Sequence, residues 1–405
     1  MHIAAATYEG PITRSALDCL SQDVRAKLGG APDLLVVAYT VHHDAPTLQA
    51  GLISAFPDTA LLGSSTCRGV ISNAGAVGFG APAVGVFAVR NPDWAFGAAH
   101  AVQVSEDCVD ALTATLIRRA QADADRVGEV PDLVWLHARP GIEERVIAAI
   151  RAQLGSEVLI SGGSSADETI EGNWSAFGAD GVAGMGIGLA LFFCDAMVTH
   201  HFENGYVPTG HSGIATRADG RRLIEIDGRP AAEVYNSWTG GLIAPAVNDP
   251  ARSILGEATW APLGKVQGQI RTDSKAWIDY FCLVHPASVG PEGELMLFAD
   301  VAEGTHLTLM SGTRENLTVR PASVANAALT RHVEAGHSAD GALMVFCAGC
   351  MLALGDDIGP AADYVRAAYG DTPFLTVFTF GEQGSFVNGE RQHGNLMISS
   401  SVFGG

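Results

Sequence analysis

Two short loops carry most of the reactive chemistry in this chain. The first, Gly63-Ser64-Ser65-Thr66-Cys67-Arg68-Gly69, puts hydroxyls, a thiol and a guanidinium on a glycine-bounded backbone. Backbone N–H groups beside an arginine fork suit an anion such as a carboxylate. Ser64, Ser65, Cys67 and Arg68 are therefore candidate ligand contacts, although the same hydroxyls can serve the turn's own backbone. The second loop, Gly162-Gly163-Ser164-Ser165-Ala166-Asp167, offers similar backbone plus a carboxylate. Gly163, Ser164 and Asp167 are candidates for holding a ligand ammonium, with an N-cap role for Ser165 or Asp167 as the alternative. Glu382 and His393 would close a third side.

Further chemistry lies in cysteine and histidine. Cys67 is a nucleophile only with a histidine nearby, and His42, His43 and His137 lie on loops at matching positions. Cys347-Ala-Gly-Cys350 has redox or metal-ligand spacing, but a structural zinc knuckle needs a second such pair and the chain has none. Thirteen histidines leave many axial ligands for a non-covalent haem, with His393 first and His211 second. The glycine-rich stretches are neither a Walker loop nor a dinucleotide fingerprint.

These loops sit at the ends of apolar runs that repeat three times. The first copy passes through Pro32–Thr40, Thr59–Gly69 and Ala83–Val89; the second through Pro131–Gly141, Glu157–Asp167 and Gly184–Phe192. The third passes through Gly341–Cys350, Phe374–Gly384 and Asn395–Gly404. Copies one and two align without a gap, since 133−34 and 162−63 are both 99. Each run is rich in Val, Leu, Ile and Phe with little alternation, which predicts strands covered on both faces. Helices are expected between the first two runs, over Ala45–Ala55, Ile142–Leu154 and Ile358–Tyr369, the last with Tyr364, Val365 and Ala368 inward.

The middle third alternates instead. Arg222–Ile226 reads as a half-buried strand, Asp227-Gly228 as a tight turn and Ala231–Tyr235 as a short helix. Strands over Trp277–His285, Glu294–Val301 and Gly304–Met310 and a helix over Asn316–Val333 follow. The expected fold is α/β, α+β in the middle third, with duplicated β-α-β units forming mixed sheets flanked by helices. Two domains are expected, over 1–200 and 201–405, as suits 405 residues. Strand-end loops are where open α/β sheets place ligands. The repeat thus predicts that its polar loops meet at one pocket.

A net charge of −20 without a Lys/Arg cluster argues against nucleic-acid binding and against an anionic membrane surface. No apolar stretch approaches the roughly 20 residues of a membrane helix. Seven scattered cysteines form no disulfide framework, and the first residues lack a secretory signal, so a cytoplasmic location is expected.

The motifs, taken in order, resemble the FIST family, a prokaryotic sensory module with N-terminal and C-terminal parts. LLGSSTCRGVISNAG (Leu61–Gly75) is similar to the family's glycine–small–cysteine loop, and ISGGSSADE (Ile160–Glu168) to its Gly-Gly-small-small-Asp motif. GYVPTG (Gly205–Gly210) with LIEIDGRPAAEVY (Leu223–Tyr235) resembles the opening of the C-terminal part. FCAGC with ALG (Phe346–Gly355), FTFGEQG (Phe378–Gly384) and QHGN (Gln392–Asn395) resemble its closing motifs. Two positions depart: Cys350 stands where the family usually has a basic residue, and Gly394-Asn395 follow His393 in place of Asn-Gln-Thr.

The resemblance implies a sensory protein that binds a small molecule, an amino acid or other small anionic metabolite, and signals through a separate partner. It also implies an alternative, a haem-containing nitric-oxide sensor acting on a partner histidine kinase. An enzyme working through Cys67 or the Cys347/Cys350 pair is a third reading.

Overall fold

The computed structural model describes residues 2–405 except 185, 195–196, 248, 250–251, 272–276 and 387. Its plan is three copies of one unit. The first contains β1 (His2–Glu9), α1 (Thr13–Leu28), β2 (Leu34–Tyr39), α2 (Ala45–Ala55), β3 (Ala60–Ser65), the hairpin β4 (Val70–Ser72) and β5 (Gly75–Val77), and β6 (Ala83–Arg90). The second contains β7 (Ala95–Ala101), α3 (Val109–Asp123), β8 (Leu133–Ala138), α4 (Glu143–Leu154), β9 (Leu159–Ser164), the hairpin β10 (Ala176–Gly178) and β11 (Gly181–Ala183), and β12 (Ile187–Phe193).

The third unit opens with β13 (Val198–Asn204) and is then interrupted. The interruption comprises β14 (Val207–Asp219), β15 (Arg222–Ile226), β16 (Arg229–Pro230), α5 (Ala231–Trp238), α6 (Ala244–Val247) and α7 (Leu255–Ala258). It continues through β17 (Leu263–Arg271), β18 (Trp277–Val284), β19 (Pro286–Val289), β20 (Leu295–Leu297) and β21 (His306–Ser311), which complete an eight-stranded antiparallel sheet. The unit then resumes with α8 (Arg314–Glu334), β22 (Gly341–Cys347), α9 (Ala348–Leu354), α10 (Ile358–Tyr369), β23 (Phe374–Thr379), the hairpin β24 (Glu382–Ser385) and β25 (Arg391–Gly394), and β26 (Met397–Phe403). Position 200, expected as a domain boundary, falls within β13.

In every unit the strand order is first, last, second, third: β1-β6-β2-β3, β7-β12-β8-β9 and β13-β26-β22-β23. Only the second and third strands are parallel, joined across a helix as a right-handed crossover requires. Each hairpin leaves its own unit. β4 pairs with β23 of the third unit, β10 with β3 of the first, and β24 with β9 of the second. The exchange is cyclic, so each unit's outer parallel strand is covered by another unit's hairpin.

The inner faces of the three sheets share one core, as the unbroken apolar runs require. Phe87, Phe192 and Phe403, from the last strand of each unit, meet there with ring centroids 5.8 Å (Phe87–Phe403) and 5.2 Å (Phe192–Phe403) apart. Helices cover the outer faces. Tyr364, expected inward on α10, is exposed, whereas Val365 is buried: the helix turns one residue further than the apolar pattern implied. Among the described residues no helix is long and apolar enough to cross a membrane.

Candidate functional site

The strand-end loops do meet, and they meet one another. Register makes Ser65, Ser164 and Thr379 equivalent, each paired in parallel with Tyr39, Ala138 and Cys347 respectively. Backbone bonds then run round the three units: Cys67 N donates to Phe378 O (3.1 Å), Phe380 N to Ser164 O (3.2 Å) and Ala166 N to Ser65 O (3.1 Å). The Ser64 and Ser165 hydroxyls lie 2.7 Å apart. Gly163 lets the second unit approach the third, since a Cβ there would stand 2.5 Å from the Thr379 Cβ. Ser65 Oγ accepts the Ser175 N–H, and Ser164 Oγ donates to Glu143 Oε1 at 2.6 Å. Polar groups that looked available to a ligand are satisfied within this seam.

Asp167 is fully buried, and its carboxylate accepts the N–H groups of Thr169, Ile170, Glu171 and Asn173. It anchors the loop that follows, in which Ile170 is held at φ 61°, a region β-branched residues rarely enter. Arg68 is exposed and lies outside the cavity described below. Cys67 is packed in the apolar core, where burial pushes its thiol up to about 12.

Beside this seam lies a cavity of about 400 Å³, walled by the second unit, the third unit and the inserted sheet. Its aromatic and aliphatic lining includes Trp174, Trp260, Phe298 and Phe380. Asp167's loop delivers Ile170 and Trp174 to one wall. At the polar end, Arg221 Nη2 reaches Glu143 Oε2 and Glu144 Oε2, both at 2.7 Å, and its Nε lies 3.5 Å from Asp300 Oδ1. Burial opposes the Glu144 charge, but His393, Arg221 and the Asp300 N–H more than offset it and hold the carboxyl down at about 2.

Two donors at the cavity have no partner among the described residues. Asn395, 2% exposed, accepts the His285 N–H through Oδ1 at 3.2 Å, while its Nδ2 is unpaired. Trp174 Nε1 is likewise unpaired. A buried donor left without water or protein partner costs about 1–3 kcal/mol. Both are therefore sites where an acceptor on a ligand gains most. His285 also lines the cavity; burial lowers its pKa to about 4, and Nε2 sits 3.0 Å from Leu255 O and 3.2 Å from Thr259 Oγ1.

Glu382 is fully buried, with Thr379 Oγ1 donating to Oε1 at 2.9 Å and Met397 N to Oε2 at 3.0 Å. Burial first, then the neighbouring Cys347, pushes its carboxyl well up. His393 is buried with Nδ1 3.4 Å from Gln383 Nε2 and Nε2 3.3 Å from Phe298 O. Both nitrogens thus have protein partners, and neither faces an open slot for an axial bond. His211 is exposed and stacks on Trp238 with centroids 6.4 Å apart. The residues nominated for haem therefore do not fit that group. Glu143, Glu144 and His393 bring ligand atoms within 4.8 Å of one another, but the Arg221 guanidinium already pairs both carboxylates.

Sequence reasoning missed the cavity's polar residues Arg221, Glu143, His285 and Asn395. Arg221 and His285 lie in the inserted sheet, outside the threefold repeat, whereas Glu143 and Asn395 lie within the repeat but away from its glycine-centred loops. The sequence matches the FIST N domain over residues 33–229 and the FIST C domain over 231–385. The chain belongs to the FIST family. FIST domains are small-molecule-binding sensory domains of signal transduction. No curated protein sequence matches this FIST chain. Among solved structures it is similar to cyanuric acid hydrolase from A. caulinodans, at 13% identity and a TM-score of 0.33, covering 99% of each chain. It is also similar to PurLQS from Thermotoga maritima, at 8% identity and a TM-score of 0.21, covering 100% of this chain and 72% of that one. Similarity this low transfers neither activity nor ligand.

Proposed function

We propose that this FIST protein senses a small metabolite bound in the cavity between the second unit, the third unit and the inserted sheet, and reports to a separate signalling partner. The observation that carries the reading is the unpaired Asn395 Nδ2 in the wall of an aromatic cavity of about 400 Å³. The ligand class that suits the walls is an amino acid or a related small acid with an apolar body. Its carboxylate would take hydrogen bonds from Asn395 and Trp174, its ammonium would lie toward Glu143, and its side chain would fill the space among Trp260, Phe298 and Leu352. A partner histidine kinase fits the sensory role, and Arg221 supplies a route of communication because it belongs to the insert but pairs with α4 of the second unit.

The test is a thermal-shift and calorimetric screen of amino acids and organic acids. A ligand at 100 times its Kd should stabilise the fold by about 2.7 kcal/mol. Asn395→Asp should abolish the shift for acids by placing a carboxylate against the ligand's own. A hit whose affinity is the same in Asn395→Asp and in the native protein would overturn the placement in this cavity.

A further inference from the structure

The Cys347-Ala348-Gly349-Cys350 segment lines the same cavity through Cys347 and Gly349, yet ligand binding uses neither sulfur. Cys347 closes β22 and caps α9. Burial raises its thiol, and the neighbouring thiol of Cys350 raises it further. Cys350 is fully buried behind it, its Sγ 3.6 Å from the Tyr206 hydroxyl. The Glu382 carboxyl, itself raised by burial, also neighbours Cys347, which raises it further. Gly349 keeps the approach open: a Cβ there would meet Leu396 Cδ2 at 2.9 Å and Cys347 Sγ at 3.5 Å. One sulfur at the cavity wall with a second beside it in a Cys-x-x-Cys segment supplies an attacking and a resolving thiol, the pair that exchange requires.

We propose that Cys347 and Cys350 form a reversible disulfide site in the cavity wall, oxidised by a low-molecular-weight disulfide that enters the cavity. Cys347 Sγ attacks one sulfur of RS–SR; that S–S bond breaks, a mixed disulfide forms on Cys347, and the leaving RS⁻ takes the Cys347 proton. Cys350 Sγ then attacks the Cys347 sulfur, closing the Cys347–Cys350 bond and releasing the second RS⁻ with the Cys350 proton. Two thiols are oxidised and one RS–SR is reduced to two RSH, so electrons and protons balance. Glu382 is a positioning residue for Cys347. Burial pushes the Cys347 thiol up, so exchange is slow at neutral pH and quickens as pH rises. The inference stands on the dithiol itself and holds whether or not the cavity binds a metabolite.

Peptide mapping tests it on the full chain. Native protein is equilibrated with oxidised glutathione at mildly alkaline pH, quenched in acid and alkylated. The expected product is the 347–350 peptide lighter by two hydrogens, restored by dithiothreitol. In Cys350→Ser the reaction stops at a glutathione adduct on Cys347. Cys19 and Cys108, both exposed, report that the oxidant was active. Glutathione on Cys19 and Cys108 with Cys347 and Cys350 both recovered as free thiols overturns the proposal. Glu382→Gln should shift the pH profile of Cys347 alkylation, and an unmoved profile removes Glu382 from the site.

Discussion

Arg221 and Glu143 are joined at 2.7 Å across the boundary between the inserted sheet and the second unit, and the Glu143 side chain is only 2% exposed. The same guanidinium holds Glu144 at 2.7 Å. Removing one partner of a buried ion pair strands the other charge without water. Arg221→Met should therefore destabilise the fold by about 3–5 kcal/mol in urea unfolding. Adding Glu143→Gln to that variant should restore part of the loss. A loss in the single variant below about 1 kcal/mol, the range of an exposed pair, would show that the insert is held elsewhere.

Asn395 separates binding from folding. Its Oδ1 serves the His285 N–H, and its Nδ2 has no partner among the described residues. Asn395→Asp keeps the acceptor but buries a carboxylate, so it should lower the melting temperature, a cost read in the ligand-free protein. Its affinity for an acidic ligand should fall at least tenfold, equivalent to about 1.4 kcal/mol. Asn395→Leu removes the acceptor as well and should cost about 1–3 kcal/mol of stability. Equal affinity in the native and Asp forms, read by calorimetry, would place the ligand outside this cavity.

The parts of this molecule that were legible in sequence are those governed by local periodicity. Helices over Ala45–Ala55 and Ile358–Tyr369 appear with the expected bounds, and Ile142–Leu154 differs by one residue. The Asp227-Gly228 turn is also present, with both residues at positive φ. Pairing between units was not legible, because β4, β10 and β24 are three or four residues long and their partners lie in other units. The third unit's opening strand was hidden for a different reason: the insert from β14 to β21 separates β13 from α8. The loops' own partners were equally hidden, because nothing local reveals that Ser64 faces Ser165 or that Asp167 accepts four N–H groups.

Asp167 makes that point testable. If it anchors its loop, Asp167→Ala should free residues 168–174 and with them Trp174, a cavity wall. Loss of hydrogen bonds to a charged acceptor should cost about 3 kcal/mol. Limited proteolysis should cut within 168–174 in the variant alone, and Trp174 fluorescence should shift to the red. Asp167→Asn, which retains one acceptor oxygen, should be intermediate. A variant that loses ligand affinity with its loop as protected as the native one would instead make Asp167 a direct contact.

Acid should destabilise this protein well before its carboxylates titrate. Burial lowers His137 and His285 to about 4 and His200 to about 3, against an ordinary value of 6.5. Each binds a proton more readily unfolded than folded, so its contribution is complete above pH 6.5 and is lost progressively down to its folded value. Such a shift is worth about 3 kcal/mol for His137 and His285 and about 5 kcal/mol for His200. Glu144, held at about 2 against 4.5, adds a second loss that begins only near pH 4.5 and ends near pH 2. Urea unfolding followed across pH should thus fall steeply between 6.5 and 4 and continue to fall below. His285→Gln keeps a polar side chain against Thr259 and removes one titration, so its curve should be shallower in the upper window and parallel below it. A stability flat from pH 6.5 to 4 would mean that these rings have water or charge partners when folded, and would remove His285 from the dry wall of the cavity.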